Sequence, residues 1–204
     1  LLMLEGAAPE YIDKVLYDWG MAMGPNAVGD LAGLDIGYKG RKERPDIPDD
    51  PRYYRVADVL VEMGRYGQKT GRGNYLYEAG SRKPIPDPEV TAIIKAEAEK
   101  LGVEQRDIDA DEIIDRCIYA LVTEGARILE DGIASRSADI DVVWMNGYGF
   151  PRHRGGPMHY ADSVGLDKVL ARVREFEERF GSLYWEPPEL LTELAESGRR
   201  FSDL

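Results

Sequence analysis

The stretch GMAMGPNAVGDLAGLDIG, residues 20–37, has an echo in GFPRHRGGPMHYADSVGLD, residues 149–167. The matched points are Met23-Gly24-Pro25 with Gly149-Phe150-Pro151, Asp30 with Asp162, and Gly33-Leu34-Asp35 with Gly165-Leu166-Asp167. Working outward, Glu5-Gly6 and Ile12-Asp13-x-Val15 precede the first block, while Asp131-Gly132 and Ile140-Asp141-x-Val143 precede the second. The spacing between blocks shifts by a few residues, as loop insertions would make it. A repeat unit of more than roughly a hundred residues is too long for a solenoid. It predicts two tandem copies of one domain.

The rest of the chain reads as helix almost throughout. Residues 11–19 set Ile12, Val15, Leu16 and Trp19 on one face, with Gly20 as the stop. Val56, Val59, Leu60 and Met63 do the same over 56–66. Asp87-Pro88-Glu89 combines a capping acid with a proline in the first turn, predicting a helix from 88 to about 101. The spacing of Asp109 and Glu112 resembles a capping box and opens the longest predicted helix, 110–131, with Ile113, Ile114, Cys117, Leu121 and Val122 inward. Further helices are expected near 138–146, 166–180 and 188–197. Strand signal is confined to residues 74–77. Proline-rich residues 80–88 form a linker, and 43–52 form a second irregular stretch. The domains are therefore expected over 1–86 and 87–204, although sequence alone does not say which copy the helix near 88–101 joins.

A net charge of −12 argues against nucleic acid, which needs clustered cations to neutralise phosphates. The basic run Lys39, Arg41, Lys42 and Arg44 reads as a solvated helix end. No apolar run approaches the ~20 residues of a membrane span. The lone Cys117 excludes an intramolecular disulfide and reads as a buried small hydrophobe. A reducing compartment, the cytoplasm, is expected. Ser202-Asp203-Leu204 has an acid where a peroxisomal address would carry a base. The absence of an initiator methionine marks the sequence as a piece of a longer polypeptide.

Candidate chemistry is sparse. Gln68-Lys69-Thr70 lacks the glycine that a P-loop places before its lysine. Gly147-Tyr148-Gly149 has Arg152 where a dinucleotide fingerprint needs its third glycine. The histidines, His153 and His159, both fall in the second copy, and no metal-ligand spacing accompanies them. His159 reads as a packing residue, and His153 lacks an evident carboxylate partner. Asp30, Asp35, Asp162 and Asp167 recur between the copies, and Asp35 and Asp167, directly preceding helical segments, read as helix caps rather than as catalysts. No complete active site is legible.

Residues 20–37 resemble the C-terminal domain of 3-hydroxyacyl-CoA dehydrogenases, and so does GRYGQKTGRGNY at 64–75. DIDVVWMNGYGFPRHRGGP, 139–157, is similar to the second such domain of the multifunctional β-oxidation enzymes. The resemblance implies an all-α fold of two tandem helical domains, like the 6-phosphogluconate dehydrogenase C-terminal domain. It implies the substrate-cleft and assembly part of an enzyme that oxidises 3-hydroxyacyl-CoA to 3-ketoacyl-CoA. NAD and the catalytic His–Glu pair would belong to an upstream domain, with an enoyl-CoA hydratase possible in the parent, so that this chain alone is inactive. No catalytic residue carries over. Met23, Gly24 and Pro25 carry over as a wall of the acyl–pantetheine cleft. The doubling would mimic, as a pseudo-dimer, the homodimer of one-copy relatives, the second copy acting as scaffold. The alternative is a non-enzymatic helical interaction module that kept the fold. A self-sufficient enzyme built on His153 is the remaining option.

Overall fold

A computed structural model describes residues 1–45 and 47–204; Asp46, within the irregular stretch 43–52, lies outside the described residues. The chain is all-α. Among the described residues there are eleven α-helices and three short 3-10 turns, and the strands are the two-residue pair Tyr75–Leu76 (β1) and Ile85–Pro86 (β2), antiparallel. The helices form two compact units. The first holds Leu1–Asp18 and Met23–Ile113, the second Trp19–Ala22 and Ile114–Leu204.

In the first unit α1 (Pro9–Trp19) is followed by α2 (Pro25–Ala32), α3 (Leu34–Glu43), α4 (Arg55–Glu62) and α5 (Pro88–Lys100). Leu4, Val56, Leu60, Val90, Ile94 and Ala98 make one buried cluster, which assigns α5 to this unit. The compact units therefore part at Ile113 and Ile114 rather than within the proline-rich linker. Asp87 caps α5 as its sequence demands, accepting from the Glu89 amide at 2.9 Å. The same carboxylate pairs with Arg65, a guanidinium with no exposed surface, which also reaches Glu89 at 2.8 Å and the Gly73 carbonyl at 3.0 Å. A single arginine thus ties α4's exit, the glycine loop and the start of α5.

The segment after α5 returns to the N-terminus. The Arg106 amide donates to the Glu5 carbonyl at 2.8 Å, and a side chain at Gly6 would collide with the Arg106 carbonyl at 2.5 Å. Gly6 is at φ +117°, so both backbone conformation and space require glycine there.

In the second unit α6 (Ala110–Glu130) leads to α7 (Ser137–Gly147), α8 (Pro157–Val164), α9 (Leu166–Phe180), α10 (Ser182–Trp185) and α11 (Glu189–Ser197). Glu112 donates its amide to Asp109 at 2.7 Å, confirming the cap. The inward stripe of α6 is rotated from the expected one. Ile113, Ile118, Tyr119, Val122 and Ala126 are buried, while Cys117 and Leu121 are half-buried. Tyr119 brings a large ring to the interior and draws the stripe one position onward. Trp19 belongs to this unit, meeting Phe150 and Tyr160 edge-to-face at 5.4 and 5.1 Å. Arg154 lies 4.2 Å from the Trp19 ring centre and donates to its carbonyl at 3.1 Å.

Candidate functional site

The repeated aspartates carry the architecture of both units. Asp13 on α1 accepts from the amides of Asn26 and Ala27 at 2.9 and 2.8 Å, capping α2 from outside its own sequence. Asp141 on α7 does the same for α8, accepting from Met158 and His159 at 2.8 and 3.1 Å. A carboxylate at a helix N-terminus satisfies amides that have no intrahelical acceptor and meets the positive end of the helix dipole. The capped helices begin Gly24-Pro25 and Gly156-Pro157. A methyl group at Gly24 would lie 2.2 Å from Asp13 Cγ, and one at Gly156 would lie 2.3 Å from Asp141 Oδ1. Glycine is what allows the carboxylate to come under the turn.

This geometry corrects the internal alignment. Gly24-Pro25 corresponds to Gly156-Pro157, not to Phe150-Pro151; the spacing from Pro25 to Asp30 recurs from Pro157 to Asp162. The second copy carries its extra residues between Asp141 and Gly156, where Pro151 opens a short 3-10 turn over Arg152–Arg154.

Of the other repeated acids, Asp35 and Asp167, expected as caps, lie inside their helices' first turns behind glycine N-caps, while Asp30 and Asp162 hold segments distant in sequence. Asp30 accepts from the Asn74 and Tyr75 amides at 2.8 and 3.0 Å, and Asp162 accepts from Phe201 and Ser202 at 2.9 and 3.0 Å. Asp30 thereby pins the start of β1, and Asp162 the first residues of the 3-10 turn Phe201–Asp203, each a segment that returns at the end of its copy. Asp35 and Asp167 sit in the first turns of α3 and α9, behind Gly33 and Gly165, which share φ +102°. Asp35 pairs with Lys69, whose ammonium holds its carboxyl below the ordinary range. The Lys-Thr pair of the glycine loop is thereby explained without phosphate: Lys69 binds α3, and Thr70 Oγ1 accepts the Tyr66 amide at 2.9 Å.

Burial pushes the carboxyls of Asp13, Asp30 and Asp141 upward, against the hydrogen bonds they accept. It also raises the phenols of Tyr75 and Tyr77, which donate to Asp13 at 2.8 Å and to Asp30 at 3.0 Å. These acids are structural acceptors. Among the described residues no group of three His, Cys, Asp or Glu side chains is placed to hold a metal.

Of the sequence-selected turn, Gly24 is buried beneath α2, whereas Met23 and Pro25 reach the surface. Met23 before α2, Val28 and Leu31 on α2, and Ile36 on α3 are exposed by 39, 44, 49 and 63%. In the corrected register the counterparts of Val28, Leu31 and Ile36 are Tyr160, Ser163 and Lys168. Tyr160 is half-buried against Trp19, and the other two are polar. The same fold is therefore stable without exposed apolar side chains here. Val28, Leu31 and Ile36 escaped the sequence reading because they look like core residues until the helix phase is known. His153 and His159 are exposed, with the His159 ring packed over Gly155. The described strands pair antiparallel in a two-stranded sheet. No described helix is long and apolar enough to cross a membrane.

The architecture recurs in the dehydrogenase part of multifunctional enzyme 1 from C. elegans. The two superpose with a TM-score of 0.72 at 31% identity, over 94% of this chain and 43% of that one. The family model for the 3-hydroxyacyl-CoA dehydrogenase C-terminal domain matches residues 1–77 and again 113–201, and the chain belongs to that family. It is 44% identical to the peroxisomal bifunctional enzyme of Danio rerio, over 97% of this chain and 29% of the relative. It is 36% identical to the fatty acid oxidation complex subunit alpha of Pseudomonas aeruginosa, over 93% of this chain and 27% of the relative. The chain thus spans less than a third of these curated relatives.

Proposed function

We propose that this chain is the substrate-cleft and assembly region of an NAD-dependent 3-hydroxyacyl-CoA dehydrogenase of fatty acid β-oxidation. The observation that carries the reading is the exposure of three apolar side chains, Met23 just before α2 and Val28 and Leu31 on it, beside a turn fixed by Asp13. The duplicated fold has polar or packed residues at the equivalent places, so these side chains serve something other than folding. An acyl–pantetheine arm is long, flexible and largely apolar. Met23 offers it an adaptable thioether wall, and Pro25 a rigid edge.

The oxidation itself removes a hydride and a proton from a secondary alcohol. Both acceptors are assigned to a dinucleotide-binding domain outside this chain; the repeated acids Asp13, Asp30, Asp141 and Asp162 are occupied as acceptors of backbone amides and offer no base. The second unit is scaffold, and the chain is a monomer in solution. Its working compartment is reducing, cytoplasm or peroxisomal matrix.

The test is turnover of acetoacetyl-CoA with NADH, followed by loss of reduced-cofactor absorbance. The chain alone is expected to consume none, and the same chain joined to the dinucleotide-binding domain of a relative is expected to consume it. Met23→Lys in the joined enzyme should raise KM for the acyl-CoA by about tenfold, a loss of ~1.4 kcal/mol of binding. A joined enzyme with no activity, or a Met23→Lys variant with unchanged KM, would refute the assignment.

A further inference from the structure

In both units an aspartate caps the short helix that follows, but the two caps are built differently. Among the described residues Asp141 accepts from two backbone amides, Asp162 from two others, and no side chain joins the two acids. In the first unit the corresponding acids, Asp13 and Asp30, belong to one network that runs from half-buried Asp13 and Asn26 to buried Asp30 and Asn74. Asp13 adds the Asn26 amide side chain at 3.0 Å and the Tyr75 hydroxyl at 2.8 Å to its two backbone donors. Asp30 adds the Asn74 side chain and the Tyr77 hydroxyl, each at 3.0 Å. Asn74 Nδ2 also reaches the Asn26 carbonyl at 3.3 Å. Tyr75 touches both acids, giving its backbone amide to Asp30 and its hydroxyl to Asp13.

The fold does not require this wiring. The second unit holds the same helix corner with Met158 where the first has Asn26 and Ser202 where it has Tyr75. Met158 is fully buried and apolar, and Ser202 is exposed. Gathering carboxylates, amides and phenols in a protein interior is unfavourable unless they are paired; here Asn74 Oδ1 is left without a partner, while both acids and both phenols are paired, and pairing holds those groups in place. Rigidity is placed selectively, at the start of α2 and beneath the Met23-Gly24-Pro25 turn. Groups that contact a ligand bind best when neighbours lock their position in advance.

We infer that Tyr75 and Asn26 are positioning residues for the acyl-CoA cleft: by clamping Asp13 they fix the depth of the Met23-Gly24-Pro25 turn and so set affinity for the acyl–pantetheine arm. This rests on the reading of that turn as a cleft wall.

The experiment uses the joined enzyme for kinetics and the 204-residue chain for hydrogen exchange. Tyr75→Phe keeps the buried ring and removes one hydroxyl. Asn26→Ala removes a half-buried side chain while leaving the backbone cap, and serves if Tyr75→Phe folds poorly. Each should raise KM for 3-hydroxyacyl-CoA by roughly 3- to 10-fold with kcat within about twofold, the pattern of lost uniform binding. Amide exchange at Asn26 and Ala27 should quicken in both. Asp141→Asn, which weakens the matching cap in the second unit, should leave KM unchanged. Wild-type KM in Tyr75→Phe and Asn26→Ala, alongside a raised KM in Met23→Lys, would overturn the inference and spare the cleft reading. Unchanged KM in all three variants would overturn both. A KM increase in Asp141→Asn equal to that in Tyr75→Phe would make the effect a general loss of stability and overturn the inference alone.

Discussion

A methyl group added at position 24 would meet the Cγ, Cβ and Cα of Asp13 at 2.2, 2.3 and 2.5 Å. Gly24 has φ −73°, which any residue tolerates, so Gly24→Ala isolates the steric term. The expected loss is about 1–3 kcal/mol, read as a lowered urea midpoint with unchanged m-value. The acids divide by sign. Burial makes Asp13, Asp30 and Asp141 bind protons more readily in the folded chain, so their contribution is present at low pH and lost as pH rises through their folded values. Glu97 behaves oppositely. Lys100 and Arg55 hold its carboxyl below the ordinary range, so its contribution is present above the unfolded value and lost as pH falls through the folded one. Glu97→Gln should therefore cost about 1–3 kcal/mol at neutral pH, a cost that shrinks as pH falls below the ordinary carboxylate range, measured by urea melts across an acid series. The repeated aspartates were legible as important positions, but their partners were not. A capping acid normally precedes its helix directly, whereas Asp13 and Asp141 reach helices a dozen or more residues away.

Helix existence followed from apolar periodicity and caps for α1, α4, α5, α6, α7, α9 and α11, because each buries one face. The short α8 escaped. Proline and glycine crowd its start, and Met158 and Ala161 are too few to establish a period. Pro151 offered a false match to Pro25; the constant distance from proline to aspartate was the better signal, since it is fixed by the helix itself. The home of α5 depended on contacts across sequence that no local pattern encodes. Arg65 makes this packing testable. Its guanidinium has no exposed surface, and truncation would leave Asp87 buried without a cation. Arg65→Ala is expected to cost about 3–5 kcal/mol. Arg65→Lys should recover only part of this in thermal melts, because one ammonium cannot serve Asp87, Glu89 and the Gly73 carbonyl in a fork.

At the scale of the molecule, duplication itself supplies the comparison that distinguishes what the fold needs from what it carries in addition. Tandem copies were visible from the echo alone, while the composition of each compact unit was not. Trp19 ends α1, yet it is buried in the second unit among Phe150, Tyr160 and Arg154. Trp19→Ala should therefore destabilise the second unit by about 3–5 kcal/mol, with hydrogen exchange quickening at residues 149–160 before any change in the cluster around Leu60. The placement of Trp19–Ala22 also bears on how such genes can rearrange. A crossover or fission at the junction between the copies would strand a piece of the downstream core on the upstream product. An exchange of one half for the other would have to carry residues 19–22 along with the downstream half to keep its core whole.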